Sequence, residues 1–261
     1  MPLTFAHPAA AVPLRRLGLP LSALVVGSAA PDFLYFLRLA PRGHFGHTAA
    51  GLFVFCLPMG LAVLLVFHVF QKRPLAALAP VALQRRLGVP TEAADVRSPR
   101  WWGRSAVAVL LGALTHVGWD AFTHAGGWGV ERVGALREPV VWGGAAGPPG
   151  YTLAQHGSTA IGLALLALWT RAWWRTAPLR EPGPVSPPRI RVARVAWLVG
   201  VPVAAGVGYA GREAGGAADV LRAFAGHAVV ATTSFAFVAL LAYGVWRRSR
   251  AWRHPPGRPE G

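Results

Sequence analysis

Cysteine is almost missing from this chain: among 261 residues there is only Cys56. No intramolecular disulfide can form and no thiolate metal cluster can assemble. Cys56 lies in an apolar run and is expected to be a small core hydrophobe. Charge is also scarce. Charged residues make up 14% of the chain, against roughly 25% in a soluble domain, and only 10 are acidic against 26 basic. There is no Gly-x-Ser-x-Gly elbow, so with Cys56 buried, catalysis by a nucleophilic side chain is the weaker enzymatic reading. The N-terminus has no charged region ahead of its first apolar stretch, and Arg15-Arg16 interrupts that stretch, so a cleavable signal peptide is not expected. No repeat of fixed period is visible.

What the chain does have is apolar sequence: 54% hydrophobic residues and a mean hydropathy of +0.41. Six segments can be drawn, over 9–30 (broken), 49–70, 105–122, 159–173, 195–210 and 223–246. A span needs about 20 residues; the second and sixth satisfy this cleanly, and the fourth and fifth need flanking residues. The fold class expected is all-α, a polytopic transmembrane helical bundle of about six membrane segments, with five full spans plus one irregular element equally acceptable. The net charge of +16 is distributed in a way that argues against nucleic acid, which would want a basic face on a soluble scaffold. Under an alternating topology twenty of the 26 basic residues fall on one side, and only Arg38, Arg42, Arg132, Arg137, Arg212 and Arg222 on the other. This is the positive-inside pattern. It places the basic loops and the C-terminus in the cytoplasm of a cell with a plasma or inner membrane, where anionic lipid headgroups are the expected partners.

Residues 1–38 read as an irregular N-terminal helical hairpin. Pro13, Arg15-Arg16, Gly18 and Pro20 break the segment into apolar pieces of about ten residues, each roughly half a bilayer core long. A turn at Arg15-Arg16 would bring His7 and Asp32 to the same level; a single span from near Leu17 would strand His7 on the opposite side. Residues 71–104 read as a basic linker with a surface helix near 75–87. Residues 125–155, rich in Gly, Pro and Trp, read as a lid or a mobile loop. The division expected is a membrane domain over 1–175, a Pro-rich linker over 176–192, a transmembrane hairpin over 193–246 and a basic tail over 247–261.

The chemistry gathers in Thr115-His116-Val117-Gly118-Trp119-Asp120-Ala121-Phe122-Thr123-His124. On a helix, His116, Asp120 and His124 fall within roughly 80° of one face. Ionisable groups in a membrane segment are costly and face a cavity or each other. Imidazole and carboxylate suit Zn²⁺ and other first-row divalent ions. Along a straight helix the outer two residues stand roughly 12 Å apart, so at most two of the three can share an ion. In the same topology His44, His47, His156, Asp32 and, with the hairpin, His7 approach the same membrane face. His44 and His47 could equally cap a helix with Thr48, and Pro31-Asp32 could equally mark a helix start. His68 reads as packing, His254 as a solvated tail residue, and His227 as a capping or interface residue.

Five motifs in order carry a resemblance. They are Pro2-Leu3-Thr4-Phe5-Ala6-His7-Pro8, the stretch from Leu21 through Pro31-Asp32-Phe33, Gly46-His47-Thr48, Thr115-His116 with Trp119-Asp120, and Gln155-His156-Gly157-Ser158. Over roughly residues 1–175 the chain resembles bacterial membrane proteins grouped as domain-of-unknown-function family 4184. More distantly it is similar to membrane-bound metal-dependent hydrolases and to zinc phospholipase C-like enzymes. That likeness implies His7, Asp32, His47, His116 and Asp120 as metal ligands. In the hydrolases Pro-Asp continues with further acidic and His residues, whereas Pro31-Asp32 is followed here by Phe33-Leu34-Tyr35.

Three functions compete. The first is a metal-dependent hydrolase acting on a phosphoester or lipid headgroup at the outer leaflet, with His124 or His156 as acid/base or substrate contact. The second is a transporter or metal/proton conduit, which would want ionisable residues at several depths, although the inner half offers only His68. The third is a non-enzymatic protein whose polar groups hold helices together, an expensive use of so many when each such bond averages under about 2 kcal/mol.

Overall fold

The computed structural model describes residues 4–87, 95–142, 145–182, 187–216 and 219–253; the reading of His254 and the end of the basic tail lie outside these. Among the described residues the protein is all-α apart from one short β-hairpin, as the apolar segments predict. Six long helices are labelled α1 (Leu21–Arg38), α2 (Ala49–Leu78), α3 (Pro99–Thr123), α4 (Gly150–Thr176), α5 (Pro188–Ala214) and α6 (Val220–Arg253). By length and composition five stretches among the described residues could cross a membrane: Leu21–Arg38, Ala49–Leu78, Pro99–Arg132, Pro188–Ala214 and Val220–Arg250. The remaining expected segment, 159–173, forms the apolar part of α4.

The chain divides into two compact units. The first comprises Met1–Phe33, Gly43–Leu64 and Val96–Arg175. Its N-terminal arm runs through short helical turns at Thr4–Ala6, Pro8–Ala11 and Val12–Leu17. Gly18 then reverses the chain with φ +73°, a conformation glycine adopts without a Cβ penalty, and the Arg104 guanidinium donates to its carbonyl. The arm and α1 therefore form the expected hairpin, and its second limb is longer than half a bilayer. Pro31 does not start a new helix. Lacking an N–H, it tightens the helix into a 3₁₀ turn over Ala30–Asp32, and α1 continues to Arg38.

Helices α1 and α3 cross at small residues, as membrane helices do to bring backbones together. Gly27 faces the Val109 backbone and Gly112 faces the Leu24 carbonyl; a Cβ on either would overlap it. Ala11, Ala23, Leu24, Leu64, Ala108 and Val109 form the core around this crossing. Thr48 caps α2, its Oγ1 accepting from Gly51 N at 2.9 Å. Cys56 is buried as expected, and its thiol donates to the Gly46 carbonyl at 3.3 Å. The Gly-, Pro- and Trp-rich loop carries more structure than its composition predicts. It folds into helical turns at Trp128–Arg132 and Gly134–Arg137 and a hairpin of Pro139–Trp142 with Ala145–Pro149.

The second unit comprises Leu34–Arg42, Leu65–Asp95 and Thr176–Gly261. Its centre is the antiparallel pair α5 and α6, in close contact where Gly206 meets the Thr232 backbone. The expected surface helix near 75–87 is broken at Pro80 into Lys72–Leu78 and Val81–Leu87. His227 is a packing residue of this unit, its Nδ1 3.3 Å from the Leu39 carbonyl oxygen and its ring against Tyr209.

Candidate metal centre

All the groups that converge belong to the first unit. Asp32 comes from the 3₁₀ turn of α1, and His116 and Asp120 come from successive turns of α3. His47 comes from the turn ahead of α2, and His7 from the N-terminal arm. Each placement has a local cause. The close crossing at Gly112 sets His116, one turn on, beside the middle of α1, where His116 Nδ1 lies 2.7 Å from the Ser28 carbonyl oxygen. Gly46 packs against the Pro31 carbonyl with no room for a Cβ, which brings His47 to Asp32. Pro8 begins a helical turn at once after His7, and His7 is buried with its ring stacked on His116 at 3.8 Å.

The donor atoms form a tight set. His47 Nε2 stands 3.5 Å from Asp32 Oδ1 and 3.3 Å from Asp120 Oδ2. His116 Nε2 stands 3.7 Å from Asp32 Oδ1 and 3.2 Å from Asp120 Oδ2. Ligands on a tetrahedral ion with bonds near 2.1 Å lie about 3.4 Å from one another, so these four separations have the length of tetrahedron edges. The other Asp120 oxygen, Oδ1, faces His7 Nε2 at 3.1 Å and His124 Nδ1 at 3.2 Å. Asp32, His47 and His116 thus make one triad, and His7, His116 and Asp120 a second that shares His116. Since the Ser28 carbonyl occupies Nδ1 of His116, its single remaining nitrogen can serve only one ion.

Hydrogen bonds around the set orient it. A carbonyl can only accept, so His116 Nδ1 carries a proton, and Nε2 is buried facing two carboxylates. Two carboxylates around one imidazole nitrogen call for positive charge there, supplied by a proton on Nε2 or by a metal ion. Metal-binding His residues anchor their other nitrogen on a carbonyl in the same way. Asp32 is held from behind, with Thr4 Oγ1 donating to its Oδ2 at 2.5 Å. His47 lies outside the membrane-spanning stretches. Burial pulls its pKa down, but hydrogen bonds and charge from Asp120 and Asp32 overcome this and raise it to about 9.

His124 departs from the straight-helix expectation. Helix α3 ends at Thr123, and His124 takes an extended conformation (φ −125°, ψ 146°), which folds its ring back onto Asp120. The ring meets Asp120, one turn back, and among the described residues no set of three groups within metal-binding distance includes His124, in keeping with the expectation that at most two of His116, Asp120 and His124 share an ion. His124 Nε2 accepts from Gln155 Nε2 at 3.2 Å, so Nδ1 carries the proton and donates to Asp120. His124 is thereby a neutral hydrogen-bonding neighbour of the donor set. Its side chain is 36% exposed and that of His47 18%, while His7 and His116 are closed off.

Six of the eight groups expected at one face come together; His44 and His156 are exposed and stand outside the cluster. His156 does not open α4, which starts at Gly150; it lies in the helix's second turn, where Gln155 takes the inward position. Sequence reasoning passed over Gln155, Thr4 and Ser28. Thr4 was detectable as one helical turn before His7, and Gln155 as the immediate neighbour of the favoured His156. Trp119 links α3 to α4 by donating to Ser158 Oγ at 3.0 Å.

A family model described as "Domain of unknown function (DUF4184)" matches residues 1–245, so the likeness continues beyond residue 175 through most of α6. No curated protein and no solved structure matches the chain.

Proposed function

The chain belongs to this family of unknown function, and on that premise we propose that it is a membrane-embedded, metal-dependent hydrolase acting on phosphoester or lipid-headgroup substrates near the outer membrane face. The observation that carries the reading is the set of four donor separations, 3.2 to 3.7 Å, that His47 and His116 make with Asp32 and Asp120, His116 Nε2 being buried between the two carboxylates. Asp32, His47 and His116 would hold one divalent ion, with Asp120 Oδ2 at the fourth corner. His7 and Asp120 Oδ1 are left for a second. Zn²⁺ suits the nitrogen and oxygen donors. Such an ion supplies Lewis acidity, polarising a phosphoryl oxygen and acidifying water.

The chain's own residues do the rest. Ser28 and Thr4 hold His116 and Asp32 in orientation, and Asp120 ties both halves of the site together. The exposed edge formed by His47 and His124 admits substrate from one side. His124 holds its proton on Nδ1 against Asp120 and keeps Nε2 for exchange with a substrate oxygen, displacing Gln155. That role falls to His124 because His156 stands outside the cluster.

Metal analysis of the full chain purified in detergent tests the proposal. Wild type is expected to carry Zn, Mn or Fe, and the double variant His116→Ala/Asp120→Ala to lose it. His7→Ala is expected to keep the first ion. Hydrolysis of p-nitrophenyl phosphate or its bis-ester should accompany the metal and vanish on chelation. A metal-free wild type, or unchanged content in the double variant, rejects the centre. A metal-loaded protein that cleaves neither ester rejects phosphoester hydrolysis.

A further inference from the structure

A groove runs between α5 and α6 in the second unit, far in sequence from every residue of the metal centre. Its volume is about 330 Å³, and Ile190, Ala193, Arg194, Trp197, Leu198 and Tyr243 line it. The slot is lined almost wholly by apolar atoms, so Arg194 contributes its aliphatic stem there and turns its guanidinium toward Trp246. Small-molecule sites occupy roughly 300–1,000 Å³, so the groove accepts an extended hydrocarbon chain but not a protein helix. Both helices are apolar enough to cross a membrane, and the lining, from Ile190 to Leu198 on α5, lies at the Arg-bearing end of that span.

One end of the groove is strongly basic. Residues 188–198 and 240–250 carry Arg189, Arg191, Arg194, Arg247, Arg248 and Arg250, and no Asp or Glu. Arg194 and Arg250 lie 5.7 and 4.7 Å from the centre of the Trp246 ring. A cation–π contact positions a guanidinium without neutralising it. Arg248 is engaged elsewhere, donating to the Val69 carbonyl at 2.9 Å. Arg191, one helical turn before Arg194, has a buried Nη1 with no hydrogen-bond partner among the described residues. A buried guanidinium donor is costly to leave unpaired. Arginines and tryptophan at the end of an apolar slot have the layout of a bilayer interface, with charged heads reaching headgroup level.

We propose that this end of the α5–α6 hairpin binds one anionic glycerophospholipid, its phosphate against Arg191 and Arg194 and an acyl chain along the groove. The charge selects the headgroup: two planar guanidinium forks suit phosphate oxygens, and an uncompensated cluster favours a lipid with net negative charge over a zwitterion. The apolar slot selects the source, because a phosphate free in water has nothing to place there. The proposal does not rest on the metal reading, and either can fail alone.

Native mass spectrometry of the full chain released from detergent, with phosphatidylglycerol or phosphatidylcholine added, tests it. Wild type should retain phosphatidylglycerol about tenfold over phosphatidylcholine. Arg191→Gln/Arg194→Gln should abolish that preference. Ala193→Trp, which fills the exposed groove and leaves both arginines, should reduce retention of either lipid. Equal retention by wild type overturns the proposal, as does a preference that survives in the arginine variant or full retention in Ala193→Trp. Displacement of phosphatidylglycerol by inorganic phosphate alone overturns it in favour of a free-anion site. If the arginine variant fails to fold, the wild-type comparison and Ala193→Trp still decide.

Discussion

His116 Nδ1 donates to the carbonyl oxygen of Ser28 at 2.7 Å, and this one hydrogen bond aims the opposite ring nitrogen. A carbonyl cannot donate, so the proton on Nδ1 is imposed by the backbone of a different helix. Nε2 is buried 3.2 Å from Asp120 and 3.7 Å from Asp32. Two carboxylates at this range call for positive charge at that nitrogen, which a proton or a metal ion supplies.

The crossing that makes this bond depends on Gly112, where a Cβ would overlap the Leu24 carbonyl and crowd Ser28 N. Gly112→Ala is expected to push α1 and α3 apart at a cost of about 1–3 kcal/mol. It should also weaken metal retention, because Ser28 moves with α1. Thermal unfolding and metal content of the detergent-purified variant check both effects; a variant with wild-type values for both would show that the crossing does not position His116.

Thr4→Val removes the 2.5 Å hydrogen bond that holds Asp32. Loss of such a supporting bond typically weakens metal affinity by about 10–100-fold. Competition with a chelator of known affinity reads this directly. Thr4→Ser should restore wild-type affinity.

Protons and metal compete at His47. Its folded pKa of about 9 lies above the ordinary 6.5. In the metal-free protein its ion pairs therefore contribute stability that is complete below pH 6.5 and is lost as pH rises through about 9. A metal must displace that proton, so affinity should rise about tenfold per pH unit between roughly 7 and 9 and then level off. Metal-free protein should thus lose thermal stability toward pH 9 while metal-loaded protein gains relative to it. Titration calorimetry in buffers of different ionisation enthalpy should detect about one proton released from His47 near pH 7.5; none released would contradict this account.

Gln155→Leu takes away the donor on His124 Nε2 while leaving the donor set intact. Metal content should be unchanged. Because substrate has to displace Gln155 from His124 Nε2, hydrolysis should be maintained or rise, with a displaced pH profile, whereas His124→Ala should lower it by about 100-fold or more. A fall in metal content instead would make Gln155 a structural support of the site.

How much of this was legible follows the geometry of each element. The membrane-grade helices and the N-terminal hairpin could be read because apolar length and the breaks at Pro13, Gly18 and Pro20 act locally. The convergence of His7, Asp32, His47, His116 and Asp120 was expected from a likeness and a shared membrane level. The approach of His124 to Asp120, one turn apart, was legible, whereas the end of α3 at Thr123 was not. Gln155 was missed because the inward face of α4 depends on its start at Gly150, which the preceding β-hairpin sets. Pro31 was read as a helix start because the sequence shows its missing N–H but not that the helix continues through it.

Sequence alone determined which segments are apolar enough for a membrane, where the basic residues concentrate, and which few groups could bear charge inside. These follow from composition and from spacing along one chain. Tertiary structure decided which nitrogen of His116 stays free, which oxygen of Asp120 meets which imidazole, and that His124 and Gln155 close the site while His44 and His156 do not. Those facts depend on contacts between residues far apart in sequence, such as Ser28 with His116 and Thr4 with Asp32, and no local pattern encodes them.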